Sequence, residues 1–201
     1  GLKNLTIGSG SLAAAEGSET SVIAQMLVSG AGCTPTTSVG RLFDAVSSLL
    51  GIRHQNDYEG QAAVELEALA ESASRSAEGW SLDVRDGGGA LVLDPAPALA
   101  AAVAGLRAST PAAEAAAAFH AAVADAVARA ALRARDMWGV QVVGLTGGVF
   151  ANSLLTRLCQ GRLGAEGFTV LIHRLVPPND GGLALGQVAV AASGGARTAE
   201  G

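Results

Sequence analysis

Three short stretches carry residues whose types and spacing suit chemistry. The first is Thr146-Gly147-Gly148-Val149-Phe150-Ala151-Asn152, which follows the apolar run Val140 to Leu145. Two glycines let the backbone approach a ligand, and a helix N-terminus behind them would offer free N–H groups and a positive dipole end to a phosphate. The same residues also read as a tight strand-to-helix turn with Asn152 as its cap. No Gly-Lys-Ser/Thr follows, which excludes a P-loop. The second stretch is Pro177-Pro178-Asn179-Asp180-Gly181-Gly182. Here the Asp180 carboxylate could enter a crevice and bind a hard or borderline metal ion, or it could cap the next helix. The third pairs Gly40 to Asp44 with Tyr58-Glu59-Gly60-Gln61. An acid on the first turn of a helix can accept from ribose hydroxyls, while the plain alternative is a solvated Asp44 interacting with the helix dipole. His54, His120 and His173 are too widely spaced for a local metal pair, and His120 beside Phe119 on an Ala-rich segment reads as a hydrogen-bonded core histidine.

The composition limits what can position these groups. Of 201 residues 49% are hydrophobic, 15% charged and only 3% aromatic, so the chain must fold, around a core of Ala, Val and Leu. Small residues favour close helix packing. Thirteen basic residues against eighteen acidic ones, with Lys3 the only lysine, argue against nucleic-acid binding. Cys33 and Cys159 form no CxxC, which points to buried thiols in a reducing compartment. No segment resembles a signal peptide, and Glu114, His120, Asp125, Arg129 and Arg133 interrupt the Ala-rich run Pro111 to Ala134 too often for a bilayer span. The expectation is a soluble, cytoplasmic protein with no membrane partner.

Hydrophobic periodicity predicts a helix with Leu42, Val46 and Leu49 on one face and Gly51 as its stop, and a second from about Gln61 to Ser74. Val22 to Ser29 reads as a strand or a helix end. Trp80 to Val84 and Ala90 to Leu93 read as a hairpin around Arg85 to Gly89. A short helix to about Arg107 precedes the longest one, with Thr110 as N-cap, Pro111 in first position and Phe119, Val123 and Val127 on one face. Val140 to Leu145 reads as a strand buried on both faces, followed by a helix from Asn152 to Leu163, a strand from Phe168 to Ile172 and a helix from Gly182 to Ala192. This order predicts two neighbouring parallel strands in a βαβα unit, with ligand contacts at their carboxyl ends.

Four blocks, Val39 to Val46 (VGRLFDAV), Tyr58 to Ala63 (YEGQAA), Thr146 to Asn152 (TGGVFAN) and Val176 to Gln187 (VPPNDGGLALGQ), resemble in order and interval the C-terminal part of the NiFe-hydrogenase maturation carbamoyltransferases, the HypF family. More distantly they are similar to the tRNA threonylcarbamoyl transferases. The resemblance implies an α/β fold: the C-terminal lobe of an actin-like, sugar-kinase-like ATPase, with a parallel βαβα core and packed Ala-rich helices. It implies a truncated lead-in over 1–30, the lobe over 31–193 and a disordered tail over 194–201. The implied reaction turns carbamoyl phosphate and ATP into a carbamoyl-adenylate, whose carbamoyl group passes to the C-terminal cysteine of a HypE-type partner. By the same resemblance Asp44, Gly60, Gln61, Gly147, Gly148 and Asn152 contact the nucleotide, and Asp44, Gly60, Gly147, Gly148 and Asn152 should line one groove. Asp180 would ligate a divalent metal, which could be iron, zinc or magnesium. A tRNA-modifying lobe and a non-catalytic ATP-dependent scaffold are the alternative functions.

Overall fold

A computed structural model describes residues 17–197. Its elements are α1 (Gly17–Ser29), α2 (Val39–Leu49), α3 (Gln61–Glu71), β1 (Asp83–Asp86), β2 (Leu91–Asp94), α4 (Ala96–Arg107), α5 (Ala112–Trp138), β3 (Val142–Leu145), α6 (Ser153–Ala165), β4 (Thr169–Ile172) and α7 (Leu183–Arg197). Short 3₁₀ turns, Gly148–Ala151 and Asp180–Gly182, precede α6 and α7. The lead-in and tail expected from the sequence lie partly outside the described residues. Within them, Val22 to Ser29 is helical and α7 continues to Arg197.

The long helix α5 organises the core. Its alanines are buried around most of its circumference, together with Phe119, His120 and Val123, and their small side chains let α3, α6, α4 and the β1–β2 hairpin all approach it. By length and composition α5 could cross a membrane. Here 56% of that apolar stretch is buried inside the protein, as in a core helix. Phe119 meets Phe43 of α2 edge to face at 4.8 Å between centroids, which ties α2 into the same core.

The α5 N-terminus differs from its sequence reading. Ser109 is left-handed at φ 57°, and Ser109 N and Thr110 N donate to Leu106 O and Gly105 O. That pair of bonds is a Schellman closure of α4, so Thr110 serves the end of one helix rather than capping the next. Pro111 takes the cap position, without a side-chain bond.

Ser47 on α2 is fully buried, and its hydroxyl has no hydrogen-bond partner. Replacing it by Ala removes an unsatisfied polar group from the core, so urea unfolding should find Ser47→Ala more stable than wild type, by about 1 kcal/mol. A destabilised variant would show that the hydroxyl is satisfied in solution.

β1 and β2 form the expected antiparallel hairpin, with the first strand later in sequence than its apolar run suggests. β3 and β4 pair in parallel from Val142↔Thr169 to Leu145↔Ile172, with α6 as the crossover. The expected burial of β3 on both faces does not hold: Val142 is 55% exposed and, on β4, Leu171 is 56% exposed. Only the face bearing Val143, Leu145, Val170 and Ile172 is turned to the core. Leu183, Leu185, Val188 and Val190 on α7 are exposed as well.

Candidate functional site

The parallel pairing of β3 and β4 brings the loops at their carboxyl ends together, as open parallel sheets do. Two bonds pin them. Gly147 N donates to Pro178 O at 2.9 Å, and Thr146 Oγ1 hydrogen-bonds His173 Nε2 at 2.9 Å. A Cβ built on Gly148 would lie 3.9 Å from Asn179 Cβ. The first two stretches picked out by type and spacing are therefore in contact.

Local chemistry explains each loop. Gly147 has φ 98° and ψ 159°, a region open only to glycine, which turns the chain from β3 into the 3₁₀ turn. A Cβ on Gly182 would stand 2.9 Å from Pro177 O, so this glycine is required by close approach. Asn179, not Asp180, caps the second turn, accepting from Gly181 N at 3.1 Å. Asp180 is exposed, and its carboxylate has no hydrogen bond or ion pair with the described residues. Capping does not account for it.

One expectation is overturned. The N-terminus of α6 offers no free N–H groups, because Glu67 of α3 reaches it from outside. Its Oε1 accepts from Ser153 N at 2.7 Å, Ser153 Oγ at 2.7 Å and Leu154 N at 3.1 Å. Leu155 N donates to Asn152 Oδ1 at 2.7 Å. The free backbone donors lie one turn earlier, since Gly148 N and Val149 N have no acceptor among the described residues. Sequence reading missed Glu67 because 86 positions separate it from Ser153.

Asn152 is buried, and the other end of its amide donates from Nδ2 to His120 Nε2 at 3.0 Å. His120 Nδ1 lies 2.8 Å from Ala116 O, so that nitrogen carries the proton and Nε2 accepts. Burial pushes the His120 pKa below its ordinary value, against the raising effects of the Ala116 carbonyl, Glu67 and Glu71. His120 is thus the hydrogen-bonded core histidine expected from its surroundings. Gln61 is likewise buried, its Oε1 accepting from Asp57 N at 2.7 Å and its Nε2 donating to Glu65 Oε1 at 3.0 Å. Glu65 is held below the usual carboxylate range, first by its bond to Arg53. The amides of Asn152 and Gln61 are engaged within the chain, where they hold loops.

Asp44 sits on α2, which packs against the 3₁₀ turn Gly148–Ala151. Its Oδ2 is buried and lies 3.0 Å from Arg41 Nη2, yet it accepts no hydrogen bond of good geometry. Gly60, left-handed at φ 80°, opens α3 with nothing within 4 Å of a would-be Cβ. Cys159 is buried and its thiol pushed up to about 11, which leaves it unreactive. No three His, Cys, Asp or Glu side chains converge among the described residues, so these residues alone do not fit a divalent metal. Two surface grooves of about 410 and 440 Å³ lie at Asp83, Arg129 and Arg133 and at Trp80, Asp125 and Arg162. Neither includes a residue of the strand-end loops.

Residues 3–187 match the family model described as carbamoyltransferase, Kae1-like domain, second subdomain. Carbamoyltransferase HypF2 of Cupriavidus necator is 40% identical over 194 residues, covering 85% of this chain and 24% of that protein. Carbamoyltransferase HypF of Rhodobacter capsulatus is 40% identical over 170 residues, covering 84% and 21%. A crystal structure of full-length HypF in its phosphate- and nucleotide-bound form superposes with a TM-score of 0.83 at 30% identity, over 94% of this chain and 24% of that one. The chain spans about a quarter of the length of these relatives. It belongs to the HypF carbamoyltransferase family and corresponds to the second subdomain of its Kae1-like domain.

Proposed function

We propose that this chain is the nucleotide-binding lobe of a HypF-type carbamoyltransferase, which moves a carbamoyl group from carbamoyl-adenylate to the C-terminal cysteine of a HypE-type partner. The observation that carries this reading is the pair of pinned strand-end loops, Gly147-Gly148 and Pro177 to Asp180, beside the helix that bears Asp44. Gly148 N and Val149 N would donate to phosphate oxygens, and the partly exposed Asp44 carboxylate would accept from a ribose hydroxyl while Arg41 holds its Oδ2. Gly60 leaves room for the backbone to lie against the base or sugar. Asn152 and Gln61 act through the loops they hold.

The exposed apolar surface of β3, β4 and α7 supports a lobe of an actin-like ATPase whose sheet is completed by the rest of a longer polypeptide. Asp180 would contribute one carboxylate to a divalent metal whose other ligands come from outside the described residues. The formal net charge of −5 disfavours the tRNA-modifying alternative.

In the full-length enzyme, Asp44→Ala is expected to weaken ATP binding by about tenfold, the loss of one hydrogen bond to a charged group. Asp180→Ala should lower bound metal and carbamoylation of the HypE cysteine while leaving thermal unfolding unchanged. Calorimetric titration with ATP, metal analysis and mass spectrometry of the acceptor read these out. Wild-type affinity in Asp44→Ala together with full metal and transfer in Asp180→Ala would remove the assignment.

A further inference from the structure

We propose that Glu67 is the positioning residue of the glycine turn: from α3 its carboxylate fixes the first turn of α6, and with it the Gly147-Gly148 turn, in the form that receives the ligand's phosphate. This rests on the nucleotide reading above.

A helix start leaves its first N–H groups without intrahelical partners. Here all are engaged: Asn152 N by Val149 O, Ser153 N and Leu154 N by Glu67 Oε1, and Leu155 N by Asn152 Oδ1. A single carboxylate oxygen also takes the Ser153 hydroxyl. Charge-assisted bonds of this kind are the strong ones, and a carboxylate at this end of the helix also meets the positive dipole. α3 and α6 each pack on α5, so Glu67 spans between two helices that α5 holds in place. One helical turn on, Glu71 meets Arg157 at 3.1 Å, but that pair is exposed and contributes little.

The 3₁₀ turn Gly148–Ala151 is therefore held at both ends. The Gly147 N to Pro178 O bond fixes its start, the Glu67 and Asn152 bonds fix the residues just after it, and Thr156 Oγ1 donates to Phe150 O in its middle. Glu67 also decides where an anion can sit. It uses up the donors of α6 and places a negative charge there, which leaves Gly148 N and Val149 N as the donors for a phosphate. Without Glu67, the freed amides of Ser153 and Leu154 would compete for the phosphate and the turn would lose its anchor.

The test uses the full-length protein with Glu67→Ala, Glu67→Asp and Glu67→Gln, calorimetric titration with ATP, amide hydrogen exchange and thermal unfolding. Glu67→Ala should weaken ATP binding by about tenfold or more. Exchange at Ser153 and Leu154 should speed up while the β1–β2 hairpin exchanges as in wild type, and the melting temperature should fall by only a few degrees, about the cost of one lost helix cap. Glu67→Asp keeps the charge but is too short to span the gap, and should also lose affinity, which decides the matter should the alanine variant fail to fold. Glu67→Gln keeps an acceptor oxygen and should restore most of the affinity. Unchanged ATP binding in Glu67→Ala or Glu67→Asp, or faster exchange throughout the domain, overturns the positioning role. A wild-type protein that binds no ATP overturns the nucleotide reading itself, and the proposal with it.

Discussion

Asn152→Ala is expected to destabilise the chain by about 2–4 kcal/mol, far more than an exposed cap would. Two losses combine. The cap bond to Leu155 N disappears, and His120 Nε2 is left without its donor in a fully buried site. His120 cannot turn to find another, because Nδ1 is committed to Ala116 O and the ring stands edge to face against Phe43 at 5.1 Å. The pH dependence follows from the depressed His120 pKa. Between that folded value and the ordinary one of about 6.5, the unfolded chain binds the proton and the folded chain does not, so acid favours unfolding. The His120 contribution is present in full above about pH 6.5 and is lost as pH falls below it. Urea unfolding of wild type and Asn152→Ala from pH 5 to pH 8 checks both parts. A loss under 0.5 kcal/mol at pH 8 would show that the His120–Asn152 bond carries no weight, and wild-type stability that does not fall toward pH 5 would show that burial does not keep His120 neutral.

What was legible in the sequence is what periodicity and turn chemistry encode locally. The β3–α6–β4 order, the glycine turn and the core placement of His120 all follow from residues within a few positions of one another. The capping alternative for Asn152 was visible in the same way. What was not legible depends on partners distant in sequence. The spacing of Glu65, Glu67 and Glu71 on α3 is that of any solvated helix, and only the packing of α3 and α6 on α5 turns Glu67 toward Ser153. Thr110 before a proline carries a cap signal, but Ser109 in the left-handed region commits the Thr110 backbone to the end of α4. The run Val140 to Leu145 reads as doubly buried because its composition records what would cover it, and that covering is not among the described residues. The Pro178 contact to Gly147 could not be foreseen from either loop by itself.

Gly147 and Gly148 make different demands on the backbone, and alanine at each separates fold from function. At Gly147 nothing lies within 4 Å of an added Cβ, so a side chain has space, but φ 98° with ψ 159° is closed to it. Gly147→Ala must swing the peptide toward negative φ, which breaks the bond from Gly147 N to Pro178 O and parts the two strand-end loops. The expected cost is about 1–3 kcal/mol of stability and, on the proposed nucleotide reading, loss of measurable ATP binding in the full-length protein. Gly148 is exposed and lies outside the left-handed region, and its Cβ would meet only Asn179 Cβ at an ordinary 3.9 Å. The fold therefore tolerates Gly148→Ala, and its melting temperature should match wild type. If a phosphate rests on Gly148 N and Val149 N, however, the new methyl group stands beside it, and ATP affinity should fall by about tenfold from a 1 Å displacement or less. Thermal unfolding and ATP titration on the two variants give four numbers. Wild-type ATP affinity in Gly148→Ala would mean that these amides face no ligand, whatever Gly147→Ala does to the fold.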